Sequence, residues 1–296
     1  MKILVLFYLL IFNNIFAQKI TVLEQGSNVA VPYATVVFYK DDMIFFGDYT
    51  NDFGEINFQK EYDFINISCL GFETRKVFKN QIENNVIFLN KINIQLEEVV
   101  LTNNKQEFIA IGENKRKKSF SGSFAFEKGS EVVQFIENKL KKTTKINSFA
   151  FVTEKVKNKV AYRVRLYKRI QNFNGIADIE IPTLNTIYFL EKDSNGLVEI
   201  NLSQYDIDFP LEGIYIGLES LGTIDNNGQY QHYTHADQCV YIQYQYSKTA
   251  RTYIRHLFLK GSWYDVFQRH KTDGKKYDHG DLKVIHEPYF ILKVAK

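Results

Sequence analysis

Val31-Pro32-Tyr33-Ala34-Thr35-Val36-Val37-Phe38-Tyr39 is the stretch on which the reading of this chain turns. From Ala34 onward, Ala34, Val36 and Phe38 alternate with Thr35, Val37 and Tyr39, the period of a strand with one buried face. Downstream, Thr50-Asn51-Asp52-Phe53-Gly54-Glu55-Ile56 places Gly54 where a hairpin turn needs positive φ, and a returning strand follows. Ile65, Ile67 and Cys69 then alternate with Asn66 and Ser68 until Gly71 breaks the run at a sandwich edge. Short strands punctuated by turn residues predict a small β-sandwich.

The three pieces, taken in this order and spacing with Leu96-Glu97-Glu98-Val99-Val100 behind them, resemble the carboxypeptidase-like regulatory domain. That family is a transthyretin-like β-sandwich of bacterial envelope proteins. The last segment looks like the one that closes this module in outer-membrane receptors that depend on TonB. The resemblance covers residues 19 to 101 and implies a non-catalytic spacer or docking unit. Cys69 departs from the family pattern, which usually has an aromatic or other bulky residue there.

What precedes the module sets the compartment. Met1-Lys2 is a short basic start, Ile3 to Phe12 is apolar, and Ile15-Phe16-Ala17 stands before Gln18 with a small residue at the cleavage point. This is the pattern of a secretory signal peptide, residues 1–17. Asn13-Asn14 interrupts the run before the ~20 apolar residues that a spanning helix needs. No Cys follows for lipid attachment, and no later stretch is apolar enough to span a membrane. The expected location is the periplasm or cell surface of a Gram-negative bacterium.

At 296 residues the chain exceeds one ordinary domain and predicts two. Its net charge of +3, falling to +2 once Lys2 leaves with the signal, gives no electrostatic footprint for nucleic acid. The basic run Lys115-Arg116-Lys117-Lys118 reads as a solvated linker. Phe and Tyr are abundant, but so are Asn, Lys and Ile, and all five have AT-rich codons, so genome bias accounts for much of the excess. Only two cysteines, Cys69 and Cys239, occur. They fall in different predicted domains, and the expected role of each is a small buried core residue rather than half of a disulfide framework.

Between Thr102 and Lys118 the alternation stops, with Phe108-Ile109-Ala110-Ile111 as its only apolar patch, and residues 102–118 read as the linker. Residues 119–296 carry alternating runs at Tyr162 to Tyr167, Val198 to Leu202, Ile214 to Leu218, Val240 to Tyr244 and Phe290 to Val294. Asp193-Ser194-Asn195-Gly196, Pro210-Leu211-Glu212-Gly213 and Asp225-Asn226-Asn227-Gly228 supply turns of the kind that join antiparallel strands. The prediction is a larger, jelly-roll-like antiparallel β-sandwich. Glu131 to Lys142 fits either a helix or a strand followed by a basic turn.

Motifs for catalysis are missing: no GxSxG elbow, no phosphate-binding GxxxxGKS loop and no HExxH helix. None of the six histidines begins the HxxE pair of a zinc carboxypeptidase. Glycosidases need only two carboxylates placed by the fold, so motif absence leaves that class open. His232 and His235, with Asp237 nearby and Asp278, His279 and Asp281 further on, have metal-ligand chemistry but lack zinc-site spacing, and are read as surface polar residues. Asp206 and Asp208 beside Pro210 suit either calcium or turn stabilisation, and the turn is preferred. Arg163, Arg165 and Tyr167 share one strand face, and Tyr241, Gln243 and Gln245 share another. If the two strands lie in one sheet, they form a polar, aromatic surface for a glycan or a partner protein. Trp263, with Tyr264, Val266 and Phe267 beside it, is expected to pack in a core or at an edge.

The resulting expectation is an all-β, two-domain exported protein (residues 18–101 and 119–296) that binds or scaffolds in the cell envelope. It is expected to have no catalytic site, no metal and no cofactor. Its partner would be an envelope protein or a glycan. The alternatives are a carbohydrate-binding module protein or a hydrolase with an unrecognised site, while too little chain follows Val100 for the plug and barrel of a TonB-dependent receptor. Mass spectrometry of the exported protein is expected to find Gln18 as the first residue; an intact Met1 would contradict the export reading.

Overall fold

In the computed structural model the alternation read from Ala34 onward becomes an inner strand of the first unit, which has seven strands among its described residues. Residues 18–92, 107–112, 123–169, 176, 186–224, 240–247, 251–259, 261–266 and 285–296 are described by this structure, and the chain divides into units Met1–Asn93 and Ile94–Lys296. The signal segment, residues 96–100, 115–118 and 225–228, Cys239, and His232, His235, Asp237, Asp278, His279 and Asp281 lie outside the described residues.

The first unit holds β1 (Gln18–Glu24), β2 (Thr35–Lys40), β3 (Met43–Tyr49), β4 (Glu55–Phe58), β5 (Phe64–Ser68), β6 (Arg75–Phe78) and β7 (Val86–Leu89). They form two sheets, ordered β4-β1-β7 and β3-β2-β5-β6. Val36 and Phe38 face a core with Ile65, Ile67 and Val77 of their own sheet and Ile20, Val22, Ile56, Phe58, Ile87 and Leu89 of the other. Phe38 is its hub, with the rings of Phe58 and Tyr62 at 5.0 and 5.1 Å. Cys69, 7 % exposed, joins this cluster as a small apolar filler.

The turn at Gly54 departs from the expected hairpin. Strands β3 and β4 belong to different sheets, so the turn carries the chain across the sandwich. Gly54 has φ +71°, and a Cβ there would lie 2.5 Å from the Val22 carbonyl oxygen. Thr50, 1 % exposed, ties this crossing to the quoted stretch. Its Oγ1 accepts from the Ala34 amide at 2.8 Å and donates to the Val31 carbonyl at 2.8 Å. Asn51 Oδ1 accepts from the amides of Phe53 and Glu55, which closes the turn.

The second unit holds β8 (Phe108–Ile111), β9 (Ser123–Phe126), β10 (Ser130–Ile136), β11 (Thr144–Thr153), β12 (Lys159–Lys168), β13 (Ile187–Leu190), β14 (Gly196–Asn201), β15 (Asp208–Phe209), β16 (Ile214–Ile224), β17 (Val240–Ser247), β18 (Thr252–His256), β19 (Tyr264–Asp265), β20 (Ile285–Pro288) and β21 (Phe290–Ala295). A six-stranded sheet runs β13-β12-β16-β10-β18-β19. An eight-stranded sheet runs β20-β17-β11-β21-β8, with β14 and β15 on β11 and β9 on β17. The chain passes repeatedly between the two sheets, and Phe151 of β11 meets Tyr162 of β12 edge to face at 5.6 Å.

One expectation changes here, and one that was open closes. The patch Phe108–Ile111 is not linker but strand β8, antiparallel to β21, because a short alternating run finds an edge whose amides and carbonyls need partners. Of the two readings open for Glu131 to Lys142, residues 130–136 take the strand. They are buried on both faces, and a doubly buried strand loses its period-two signature. The turns at 193–196 and 210–213 join strands of different sheets. Among the described residues no helix is long and apolar enough to cross a membrane. Gly54→Ala is expected to destabilise the first unit by about 1 kcal/mol or more, because it combines a left-handed φ with a backbone clash; thermal melts check this.

Candidate functional site

One row of side chains crosses four strands of the six-stranded sheet. Register places Arg163 of β12 opposite Glu219 of β16, Glu219 opposite Glu131 of β10, and Glu131 opposite Arg255 of β18. Two carboxylates thus stand side by side, both fully buried, an arrangement that like-charge repulsion and desolvation oppose strongly. Three arginines answer it. Arg255 Nε donates to Glu131 Oε2 at 2.7 Å. Arg165 straddles the pair, with Nε 3.7 Å from Glu131 Oε1 and Nη1 3.4 Å from Glu219 Oε2. Arg163 Nη1 stands 3.9 Å from Glu219 Oε2.

Tyr167, two residues beyond Arg165 on the same face, links the arms. Its hydroxyl donates to Glu131 Oε1 and accepts from Arg255 Nη2 at 3.0 Å. Trp263 lies edge-on to Tyr167 with ring centroids 5.5 Å apart, and the Arg255 guanidinium sits 4.2 Å from the Trp263 ring, a cation–π contact that strengthens as water is excluded. Gly217 stands directly opposite Arg165. It brings no side chain into the path of that guanidinium, and a Cβ there would fall 1.9 Å from the Val132 carbonyl oxygen. Strands β10 and β16 therefore approach as only a glycine permits.

The row continues toward the strand ends as an aromatic patch. Tyr215 packs on Phe135 at 5.2 Å and on Tyr253 at 5.7 Å. Burial pushes the Tyr215 hydroxyl above its usual range, while Arg169 and Arg251 pull it back. Burial, then the neighbouring Tyr215 and Asp265, push Tyr253 up to about 12.

The structure separates the two strand faces that the sequence placed together. Arg163, Arg165 and Tyr167 lie on β12 of the six-stranded sheet, whereas Tyr241, Gln243 and Gln245 lie on β17 of the eight-stranded one. The shared surface does not form. Arg163 and Tyr167 are buried rather than solvated because they answer the two glutamates. Gln245 is also buried, with its amide donating to Glu287 Oε1 at 3.3 Å. Glu131, Glu219 and Arg255 were not singled out from sequence. The available signal was a lone charge inside an apolar strand run, as in Ile214-Tyr215-Ile216-Gly217-Leu218-Glu219.

At the other candidate, Lys145 Nζ lies 2.9 Å from Asp206 Oδ2 and 2.8 Å from Asp208 Oδ1. Burial opposes the lysine charge, but the two carboxylates outweigh it and raise its pKa. A lysine thus occupies the place that calcium would take, and Asp206, in a left-handed turn at φ 48°, holds the loop. Trp263 packs as expected. No protein-family model, no curated protein and no solved structure matches this chain.

Two substitutions probe the row. Gly217→Ala is expected to destabilise the second unit by about 3 kcal/mol or more through backbone collision. Tyr167→Phe, which leaves a Glu131 oxygen and an Arg255 N–H without the phenol, is expected to cost about 1–3 kcal/mol. Urea unfolding of each variant measures both.

Proposed function

We propose that this chain is an exported, non-catalytic binding or scaffolding protein of the cell envelope whose first unit is a carboxypeptidase-like regulatory domain. The observation that carries this reading is the saturation of Glu131 and the Arg165 guanidinium standing between it and Glu219. Hydrolysis by two carboxylates needs one to hand a proton to a leaving group while the other faces the reacting carbon across an open gap. In this sheet Arg165 fills the gap, and both Glu131 oxygens already accept from Tyr167 and Arg255. Such a group is suited to bracing strands. The first unit, seven short strands in two sheets, suits a docking or spacing module anchored by its own small core.

A carbohydrate-binding reading is favoured by one separate observation. Tyr39, Phe64 and Phe78 stand in register across β2, β5 and β6. Tyr39 stacks on Phe64 at 4.6 Å, and Phe78 is 45 % exposed. Lys76 Nζ covers the buried Phe64 ring at 3.7 Å and stands 5.0 Å from the Phe78 ring, so the exposed part of Phe78 is what is left for a sugar ring or a partner side chain.

The purified exported protein is expected to turn over none of a panel of polysaccharide, peptidoglycan, peptide and ester substrates. Hydrolysis abolished by Glu131→Gln in a variant that still folds would replace this reading with the hydrolase alternative. Glycan binding lost in Phe78→Ala would favour the carbohydrate reading over a protein partner.

A further inference from the structure

Five of the eight arginines of this chain lie on one face of the six-stranded sheet or at its strand ends. Arg163, Arg165 and Arg255 lie against the carboxylates of Glu131 and Glu219. Arg169, just beyond β12, and Arg251, just before β18, are different. Both are exposed, and among the described residues neither guanidinium forms an ion pair.

Both are nevertheless held in place. Their guanidinium carbons lie 4.7 and 5.0 Å from the centroid of the Phe135 ring. That ring is itself fixed, being 7 % exposed. It occupies the space over Gly213, where a Cβ would come within 2.7 Å of Phe135 Cζ. Arg169 Nη1 also donates to the Glu212 carbonyl oxygen at 3.2 Å, and the Phe135 amide donates to the Arg251 carbonyl at 2.9 Å.

A guanidinium laid on an aromatic face keeps its N–H edge available, and that edge matches a carboxylate or phosphate bidentately. The Tyr215 hydroxyl feels both arginines and is hydrogen-bonded to Tyr253, which adds phenol groups beside the pair. Asp265 acts on both tyrosines, and it influences Tyr215 less than either arginine does. Two unneutralised guanidinium groups within 5.0 Å of one ring centroid have a cost in mutual repulsion that an anion would relieve.

We propose that Arg169 and Arg251, presented on Phe135, form an oxyanion clamp for a ligand bearing a carboxylate or phosphate group. This deepens the binding reading above, while the export and turnover tests of that reading do not depend on it. The clamp selects for charge and planarity of the oxyanion.

Calorimetric titration of the full exported chain with inorganic phosphate and, separately, with glucuronate tests the clamp at fixed ionic strength. At least one probe is expected to bind, and the tighter one identifies the source of the oxyanion. Arg169→Gln with Arg251→Gln is expected to weaken binding about tenfold or more with only a small fall in melting temperature, because the contacts it removes are at exposed side chains. The charge-conserving pair Arg169→Lys with Arg251→Lys is expected to weaken it as well, since the planar fork is lost. Binding of neither probe beyond a sodium chloride control would overturn the clamp. Equally tight binding by the lysine pair would do so too, by reducing it to diffuse positive charge.

Discussion

Two buried carboxylates standing side by side, Glu131 and Glu219, are the constraint around which the second unit is arranged. Isolated in a protein interior, either would be very costly, and their adjacency adds repulsion. Every neighbouring choice answers that cost. Arginines flank the pair on both sides of the row, Arg165 bridges it, and Tyr167 connects the two halves. Gly217 lets the strands that carry the glutamates approach closely. Because the members come from β10, β12, β16 and β18, the network fixes the register of four strands at once. A shift of one residue would turn each charge to the opposite face. Buried ion pairs add little over apolar packing, so register is a better account of this row than stability.

The first unit was the more legible in sequence. Its strands have one buried face each, so Val36 and Phe38 announce themselves by period two, and Gly54 marks a turn because the backbone there excludes a Cβ. What the sequence left open was which sheet each strand would join. A turn signal states that the chain reverses, not whether it pairs with its predecessor or crosses the sandwich, and at Gly54, 193–196 and 210–213 it crosses.

In the second unit the same reasoning found strands but misread their environment. Residues 130–136 are buried on both sides, which erases the alternation and leaves spacing that a helix would also satisfy. Arg163 and Arg165 were recognised as sharing a face with Tyr167. Their long side chains suggested solvent, because charge on a strand face is usually solvated. The correcting information lay far away in sequence, at Glu131, Glu219 and Arg255, and only register brings it together. Phe108–Ile111 shows the converse, a short apolar patch inside a polar stretch that is a strand because β21 offers it an edge.

Buried, paired charge in the row and exposed charge at its end divide the sheet face into two parts. The buried part is closed over by Trp263 and Tyr167, and the other opens toward solvent at Arg169 and Arg251. Trp263 is the only tryptophan in the chain and touches the network directly, so its fluorescence reports on the second unit alone. The most direct measurement is a double-mutant cycle between Glu131→Gln and Arg255→Gln, followed by tryptophan fluorescence through urea unfolding. The account predicts a loss of about 3–5 kcal/mol for each single variant and a double variant markedly less destabilised than the sum. Single losses within about 0.5 kcal/mol, or simple additivity, would contradict the claim that this row holds the sheet in register.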